Sequence, residues 1–317
     1  MLLTYFTFFF GFAILIGGAQ LLVNGASSAG VKLHISQMAM GLTVVALGTS
    51  LPELIVNIFA GITGNTNLAI GNILGSNITN TLLVVGAAAM VVPVHFQKKT
   101  LQRDIPFSLF APVILFVLAN DYLFGRQNLI SRYDGLILLI FLGIFLYYTF
   151  FKQPPGPEKE EKFRQYTWGT SLLYIAVGGV GLYFGGKWIV DGAVKIAGAM
   201  GISETAMGLT LVAGATSLPE LATSLIAARK NNADMALGNA VGSNILNIFL
   251  VLGVTALIKP IPYPKNLNIE LGLVVVSGLL LLLFGKLGKR KNTLNRFEGL
   301  LLVIIYVAFI WFTTVYQ

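Results

Sequence analysis

A stretch of 63 residues, 18–80, returns at 185–247 with a constant offset of 167, without a gap and with 29 identities. The agreement is densest in two blocks. GLTVVALGTSLPEL at 41–54 reappears as GLTLVAGATSLPEL at 208–221, and GNILGSNITN at 71–80 as GNAVGSNILN at 238–247. Apolar segments share Leu and Val by chance, but not Pro, Glu, Asn and Ser at fixed spacing. The period is far too long for a solenoid, whose units run to roughly 20–50 residues. The chain is therefore two related halves, and any fold proposed for one must serve the other.

Composition decides the solvent. Of 317 residues 56% are hydrophobic and only 11% charged, with a mean hydropathy of +0.80. Soluble domains carry about 25% charged residues, so too little polar surface is left to cover a water-exposed body. A soluble enzyme, a disordered chain and a nucleic-acid-binding module are excluded. The net charge of +8 does not restore the last, because the basic residues stand in short clusters between apolar runs, as juxtamembrane charge does. With no cysteine, disulfides, thiol catalysis and Cys-ligated metal sites are excluded as well.

About 20 apolar residues span a bilayer, and ten runs of suitable length are predicted as helices: 2–24, 37–63, 67–92, 105–120, 134–151, 169–196, 203–228, 232–258, 267–285 and 297–316. The first lacks a basic leading segment and a small-residue cleavage pattern, so it reads as a retained helix. The Pro- and charge-rich segment KQPPGPEKEEKFRQY at 152–166 separates the halves. The expected organisation is a first five-helix repeat at 1–151, a cytoplasmic linker at 152–168 and a second five-helix repeat at 169–317. Five is odd, so the second half enters the bilayer from the opposite side. The fold class predicted is an all-α membrane protein of ten transmembrane helices in two inverted five-helix repeats, the layout of secondary transporters with a midplane site.

Loop charge sets the orientation. Lys32, Lys98, Lys99, Arg103, Lys152, Lys159, Lys162, Arg164, Arg229, Lys230, Lys286, Lys289, Arg290, Lys291 and Arg296 fall on one side, against Arg126, Arg132, Lys187, Lys195, Lys259 and Lys265 on the other. The positive-inside rule makes the first side cytoplasmic and predicts a multi-pass cell-membrane protein with both termini extracellular.

Most acidic residues lie in loops or near helix ends, but Glu53 and Glu220, which are repeat equivalents, do not. A carboxylate at the bilayer centre costs at least about 3 kcal/mol, so it needs a cation, a proton or a wet cavity. No Lys or Arg lies within the core of the helices concerned, and a bound cation can supply the missing charge. A protonated Glu bonded across helices is the bland alternative. Thr49, Ser50 and Glu53 stand at i, i+1 and i+4, so Thr and Glu share a helical face. Pro52 breaks the helix and frees carbonyls near Leu47 and Gly48, which a cation can satisfy. Thr216, Ser217, Pro219 and Glu220 repeat the arrangement.

Ser76 and Asn80, with Ser243 and Asn247, are predicted to converge on the glutamates as oxygen ligands. Asn72, Asn77, Asn239 and Asn244 fit ligation and interhelical hydrogen bonding equally. Gly71 and Gly75, like Gly238 and Gly242, allow close helix approach. All the candidate ligands are hard oxygens, suited to calcium, which takes about 6–8 of them, and to alkali cations. Soft metals would want Cys, Met or His, and His34 and His95 lie at loop edges. No cofactor is implied. The expected partners are calcium and sodium ions and the lipid bilayer, with no nucleic acid and no protein partner.

At these residues the sequence closely resembles the calcium/cation antiporter superfamily, of the sodium/calcium exchanger type in its minimal prokaryotic form. GTSLPE with GNILGSN, and ATSLPE with GNAVGSN, look like its two alpha-repeats. The resemblance implies cations bound between helices 2, 3, 7 and 8, and alternating access by sliding of helices 1 and 6 against that core. It also implies metal ligation by Glu53, Thr49, Ser50, Ser76 and Asn80, and by Glu220, Thr216, Ser217, Ser243 and Asn247. Exchangers of this type often carry Asp where this chain has Asn247, and the linker is too short for the calcium-sensing domains of animal exchangers. The function expected is antiport of sodium against calcium, not enzymatic catalysis. The same fold with protons or potassium as coupling ion, and a cation channel, remain open. An intramembrane hydrolase does not fit a chain without HExxH, cysteine or a His beside a buried Ser.

Overall fold

The computed structural model describes residues 2–63, 66–121, 127–151, 164–199, 213–288 and 291–316. Within them the chain is helical: α1 (Leu2–Leu33), α2 (Gln37–Thr49), α3 (Leu51–Thr63), α4 (66–91), α5 (Thr100–Ala119), α6 (Arg132–Phe151), α7 (Trp168–Ala199), α8 (Ala213–Thr216), α9 (Leu218–Arg229), α10 (Ala233–Ile258), α11 (Lys265–Leu287) and α12 (Arg296–Tyr316). Eight described helices are long and apolar enough to cross a membrane, or nine if α2 and α3, bent by 48° at their junction, count as one span. The span expected at 203–228 begins outside the described residues, and only α8 and α9 of it are seen. The protein is a multi-pass membrane protein.

Two helices form the centre. About 78% of the spanning windows of α4 and α10 is buried, against 22–33% in the other spans. Each central helix packs on the last helix of the opposite half, backbone against backbone. A Cβ on Gly86 of α4 would lie 2.8 Å from the carbonyl oxygen of Gly299 in α12, and one on Gly135 of α6 would lie 2.7 Å from that of Gly253 in α10. Gly86 and Gly253 are 167 apart, so the repeat extends from sequence into packing. The expected role of Gly238 and Gly242 is also met: a Cβ on Gly242 would stand 2.5 Å from the Leu42 carbonyl oxygen, which brings α10 hard against α2. The equivalent partners of Gly71 and Gly75, residues 205–209, lie outside the described residues.

Flanking this core, α1 and α7 run antiparallel along a seam of glycine. A Cβ on Gly178 would lie 2.6 Å from the Leu22 amide, and one on Gly185 would lie 2.6 Å from the Leu15 amide. Here α1 differs from expectation: it continues nine residues beyond 24, to Leu33. Its extension, GASSAGVKL, is too polar to read as a span, yet Ala26, Ser27, Ser28 and Ala29 are buried against protein rather than lipid. Lys32 accordingly stands in the last turn of the helix instead of a loop. In the same way α5 starts at Thr100, five residues before the expected 105, through a π-helical turn at Thr100–Asp104.

Two small ribbons, not foreseen from sequence, tie the halves together at loops. Val94–His95 (β1) pairs antiparallel with Thr293–Leu294 (β4), and Leu129–Ile130 (β2) with Ile261–Pro262 (β3). At two residues each, such strands carry no periodicity that a sequence could reveal.

Candidate ion-binding site

Both broken helices break at serine, in the same way. Ser50 has φ −85° and ψ 7°, and Ser217 has φ −86° and ψ 3°. Pro52 and Pro219 follow as the second residues of α3 and α9, where a missing N–H costs no hydrogen bond because the first helical turn has no internal acceptor. Glu53 and Glu220 therefore sit in the first turns of these helices. The partial positive charge of a helix N-terminus favours a carboxylate there, which helps each group tolerate its surroundings. Both are 0% exposed, and the ion pairs among the described residues, Arg103 with Asp104 and Lys187 with Asp191, involve neither.

Thr49 and Thr216, each four residues before its carboxylate, are buried as well. The threonines also bond across the halves. Thr49 Oγ1 donates to Asn239 Oδ1 at 3.0 Å, and Thr216 Oγ1 donates to Asn72 Oδ1 at 3.1 Å. These are equivalent bonds, 167 residues apart at both ends.

At Glu220 a network forms on one carboxylate oxygen. Ser50 Oγ donates to Glu220 Oε1 at 3.1 Å and lies 3.0 Å from Ser243 Oγ, which is 3.3 Å from the same carboxylate oxygen. The counterparts around Glu53 behave differently. Ser217 Oγ, Ser76 Oγ and both Glu53 carboxylate oxygens are buried without a hydrogen bond at normal distance, as are Glu220 Oε2, Asn80 Oδ1 and Asn247 Oδ1. Thus Thr49, Ser50, Ser243 and Glu220 are joined by hydrogen bonds and Thr216 is joined to Asn72, while the Glu53 carboxylate has none. Ser76, Asn80 and Ser217 are buried, but no hydrogen bond links them to the rest. Asn247 Nδ2 donates to Asn77 Oδ1 at 3.1 Å.

Buried polar atoms in apolar surroundings are costly unless paired, and here the unpaired ones are carboxylate, amide and hydroxyl oxygens. That donor set suits a hard cation. These are not the thiolate, thioether or imidazole donors that a soft transition metal takes. Asn80 and Asn247 each open a π-helical turn, Asn80–Val84 in α4 and Asn247–Leu252 in α10. Single π turns inside α-helices are frequent at functional positions.

Sequence reasoning left Asn72 and Asn239 open between ligation and hydrogen bonding. Asn239 is fully engaged: besides accepting from Thr49, its Nδ2 donates to the Glu220 carbonyl at 3.2 Å and Ser224 Oγ at 3.0 Å. Asn57 and Ser224 were missed. Asn57 Nδ2 donates to the Glu53 carbonyl at 2.7 Å, and Ser224 Oγ donates to the Ala236 carbonyl at 3.2 Å. They are repeat equivalents one turn beyond the glutamates, and a search for polar pairs rather than identical ones would have found them.

Comparison with known proteins agrees with this geometry. The family model described as sodium/calcium exchanger protein matches residues 3–151 and 170–315. The chain is 37% identical to a putative antiporter, CaxA, of Alkalimonas amylolytica, over 94% of this chain and 95% of that protein. It is 31% identical to the sodium/calcium exchanger MaX1 of Methanosarcina acetivorans, over 95% of each chain. Its fold superposes on the sodium-calcium exchanger NCX_Mj soaked with Na+ and Sr2+ with a TM-score of 0.85 and 34% identity, covering 98% of each chain. The chain belongs to the sodium/calcium exchanger protein family.

Proposed function

We propose that the chain is a secondary active antiporter exchanging sodium for calcium by alternating access, with the ions held by Glu53, Glu220, Thr49, Ser50, Ser76, Asn80, Thr216, Ser217, Ser243 and Asn247. The observation that carries this is the pair of repeat-related carboxylates, fully buried at the N-termini of half-helices and without a basic partner among the described residues, amid oxygens that lack donors. Two carboxylates carry a charge of about −2, which one divalent or two monovalent cations neutralise. Each cargo displaces the other, and that competition is the basis of coupling. The relatives named as sodium/calcium exchangers support the same cargo.

The architecture that goes with it is ten spans in two inverted repeats, 1–151 and 169–317, joined by a cytoplasmic linker at 152–168, with both termini extracellular. The seventh of these spans would run from 203 through α8 and α9. Supporting the inversion, β1 and β3 are 167 residues apart yet belong to different ribbons, each pairing with a loop of the opposite half.

Calcium flux in proteoliposomes tests the reading. An imposed sodium gradient should drive calcium in the opposite direction. Flux that ignores sodium but follows pH or potassium would move the coupling ion, an outcome that the neutral Asn247 makes worth testing. Flux at channel rates without countertransport would overturn antiport.

A further inference from the structure

One end of α1 is fastened to the core by a buried polar network well away from the carboxylates. Asn232, which caps α10 by accepting from the Met235 amide at 3.2 Å, turns its amide nitrogen to Gln37 Oε1 at 2.9 Å and to Ser27 Oγ at 3.2 Å. Gln37 Nε2 in turn donates to the Ser27 carbonyl at 3.3 Å. Ser27, Gln37 and Asn232 are each 3–4% exposed and come from α1, α2 and the start of α10. Beside them, the Lys230 ammonium donates to Asn24 Oδ1. A separate bond at the same level, Ser171 Oγ to Ser28 Oγ at 2.9 Å, joins α1 to α7 instead.

Between this network and the carboxylates, α1 side chains fill the space. Leu22 is 0% and Val23 1% exposed, and Leu22 Cδ2 would lie 3.3 Å from a Cβ on Gly48, two residues before the break in the ion-site helix. An ion leaving toward the Ser27 end needs α1 to shift. That shift must break the hydrogen bonds to Gln37 and Asn232, but not the bond to Ser171 if α1 and α7 move as a pair on their glycine seam. The repeat does not carry the device over: Val194 and Lys195 stand at the positions equivalent to Ser27 and Ser28.

We propose that Ser27, Gln37 and Asn232 form a latch that holds the ion path shut at this end, which is the cytoplasmic end in the orientation above, and so biases the transporter toward opening on the other side. The proposal rests on the alternating-access reading.

The chain has no cysteine, so a single Val23→Cys substitution gives a unique reporter on α1, one turn from Ser27 toward the site. Reconstituted protein is exposed to a membrane-impermeant maleimide applied to the Ser27 face, in sodium and in calcium. Ser27→Ala and Gln37→Met should each speed labelling about fivefold, the effect of losing one buried hydrogen bond that only the shut state makes. Ser171→Ala removes an equally buried bond between α1 and α7 and should leave the rate within about twofold. Equal rates in the parent and Ser27→Ala, or an increase in Ser171→Ala as large as in Ser27→Ala, overturn the latch. Should Gln37→Met fail to fold, Ser27→Ala against Ser171→Ala decides alone. A parent whose labelling does not respond to the ions overturns the alternating-access reading and the latch with it. A parent that responds, with latch variants unchanged, overturns the latch only.

Discussion

The two halves of the ion site share their residues but not their hydrogen bonds. Glu220 Oε1 accepts from Ser50 and lies beside Ser243, while the Glu53 carboxylate, with Ser217 and Ser76 in the corresponding places, has no hydrogen bond. Identical side chains can thus be satisfied in one half and unsatisfied in the other. The difference lies in how the helices meet. Chemistry is inherited through the repeat, whereas pairing is set by the relative position of the helices.

The largest effect should come from charge. Glu53→Gln and Glu220→Gln should each lower calcium exchange by about a hundredfold or more, measured as flux in proteoliposomes, because a divalent cation in a low-dielectric site depends on full carboxylate charge. Near-normal exchange in either would make the pair structural and remove the meaning of the comparison.

Next is Asn247→Asp, which adds a carboxylate and takes the potential charge from about −2 to about −3. Calcium balances two of these charges, so the third demands another cation or a proton. The expected outcome is a changed sodium-to-calcium ratio or a new pH dependence of flux, and Asn80→Asp should act similarly. Asn247→Leu should instead weaken calcium binding by deleting an oxygen. Exchange like the parent's in all three would demote both asparagines to interhelical partners.

Smaller effects separate the serines. Ser50→Ala removes a bond that Glu220 already accepts, and should lower the thermal stability of the ion-free protein by about 1 kcal/mol. Ser217→Ala removes a hydroxyl with no partner and should leave ion-free stability unchanged or slightly raised. Its cost should appear in ion affinity. Equal stability losses in the two variants would erase the asymmetry.

The smallest is at the surface, where Lys32 lies 5.3 Å from the centre of the Trp168 ring. Lys32→Gln should cost about 0.5 kcal/mol of stability at most, with exchange unaffected.

Much of this was legible before any coordinates. The glutamates, the prolines that disrupt their helices and the recurring asparagines show in sequence because the same unusual residues recur at one offset, and burial of a carboxylate in an apolar run demands explanation; that the helices break at Ser50 and Ser217 does not show. What stayed hidden depends on distance between segments. The last turns of α1 read as loop because Ser27 and Ser28 are polar, and nothing local says that Asn232 and Ser171 wait to receive them. Asn57 and Ser224 escaped because the repeat keeps their polarity and not their identity. The difference in hydrogen bonding between the halves of the site is invisible in principle, since their residues are the same.

The two-residue ribbons have a consequence for how the chain comes together. Each takes one strand from before residue 151 and one from after 168, so both are seams between the halves rather than within them. Neither half can complete these edges alone. During synthesis the segment before residue 151 must wait in the bilayer with Val94–His95 and Leu129–Ile130 unmatched until the rest of the chain arrives. The same seams then act as two small clasps that keep the loop ends in register.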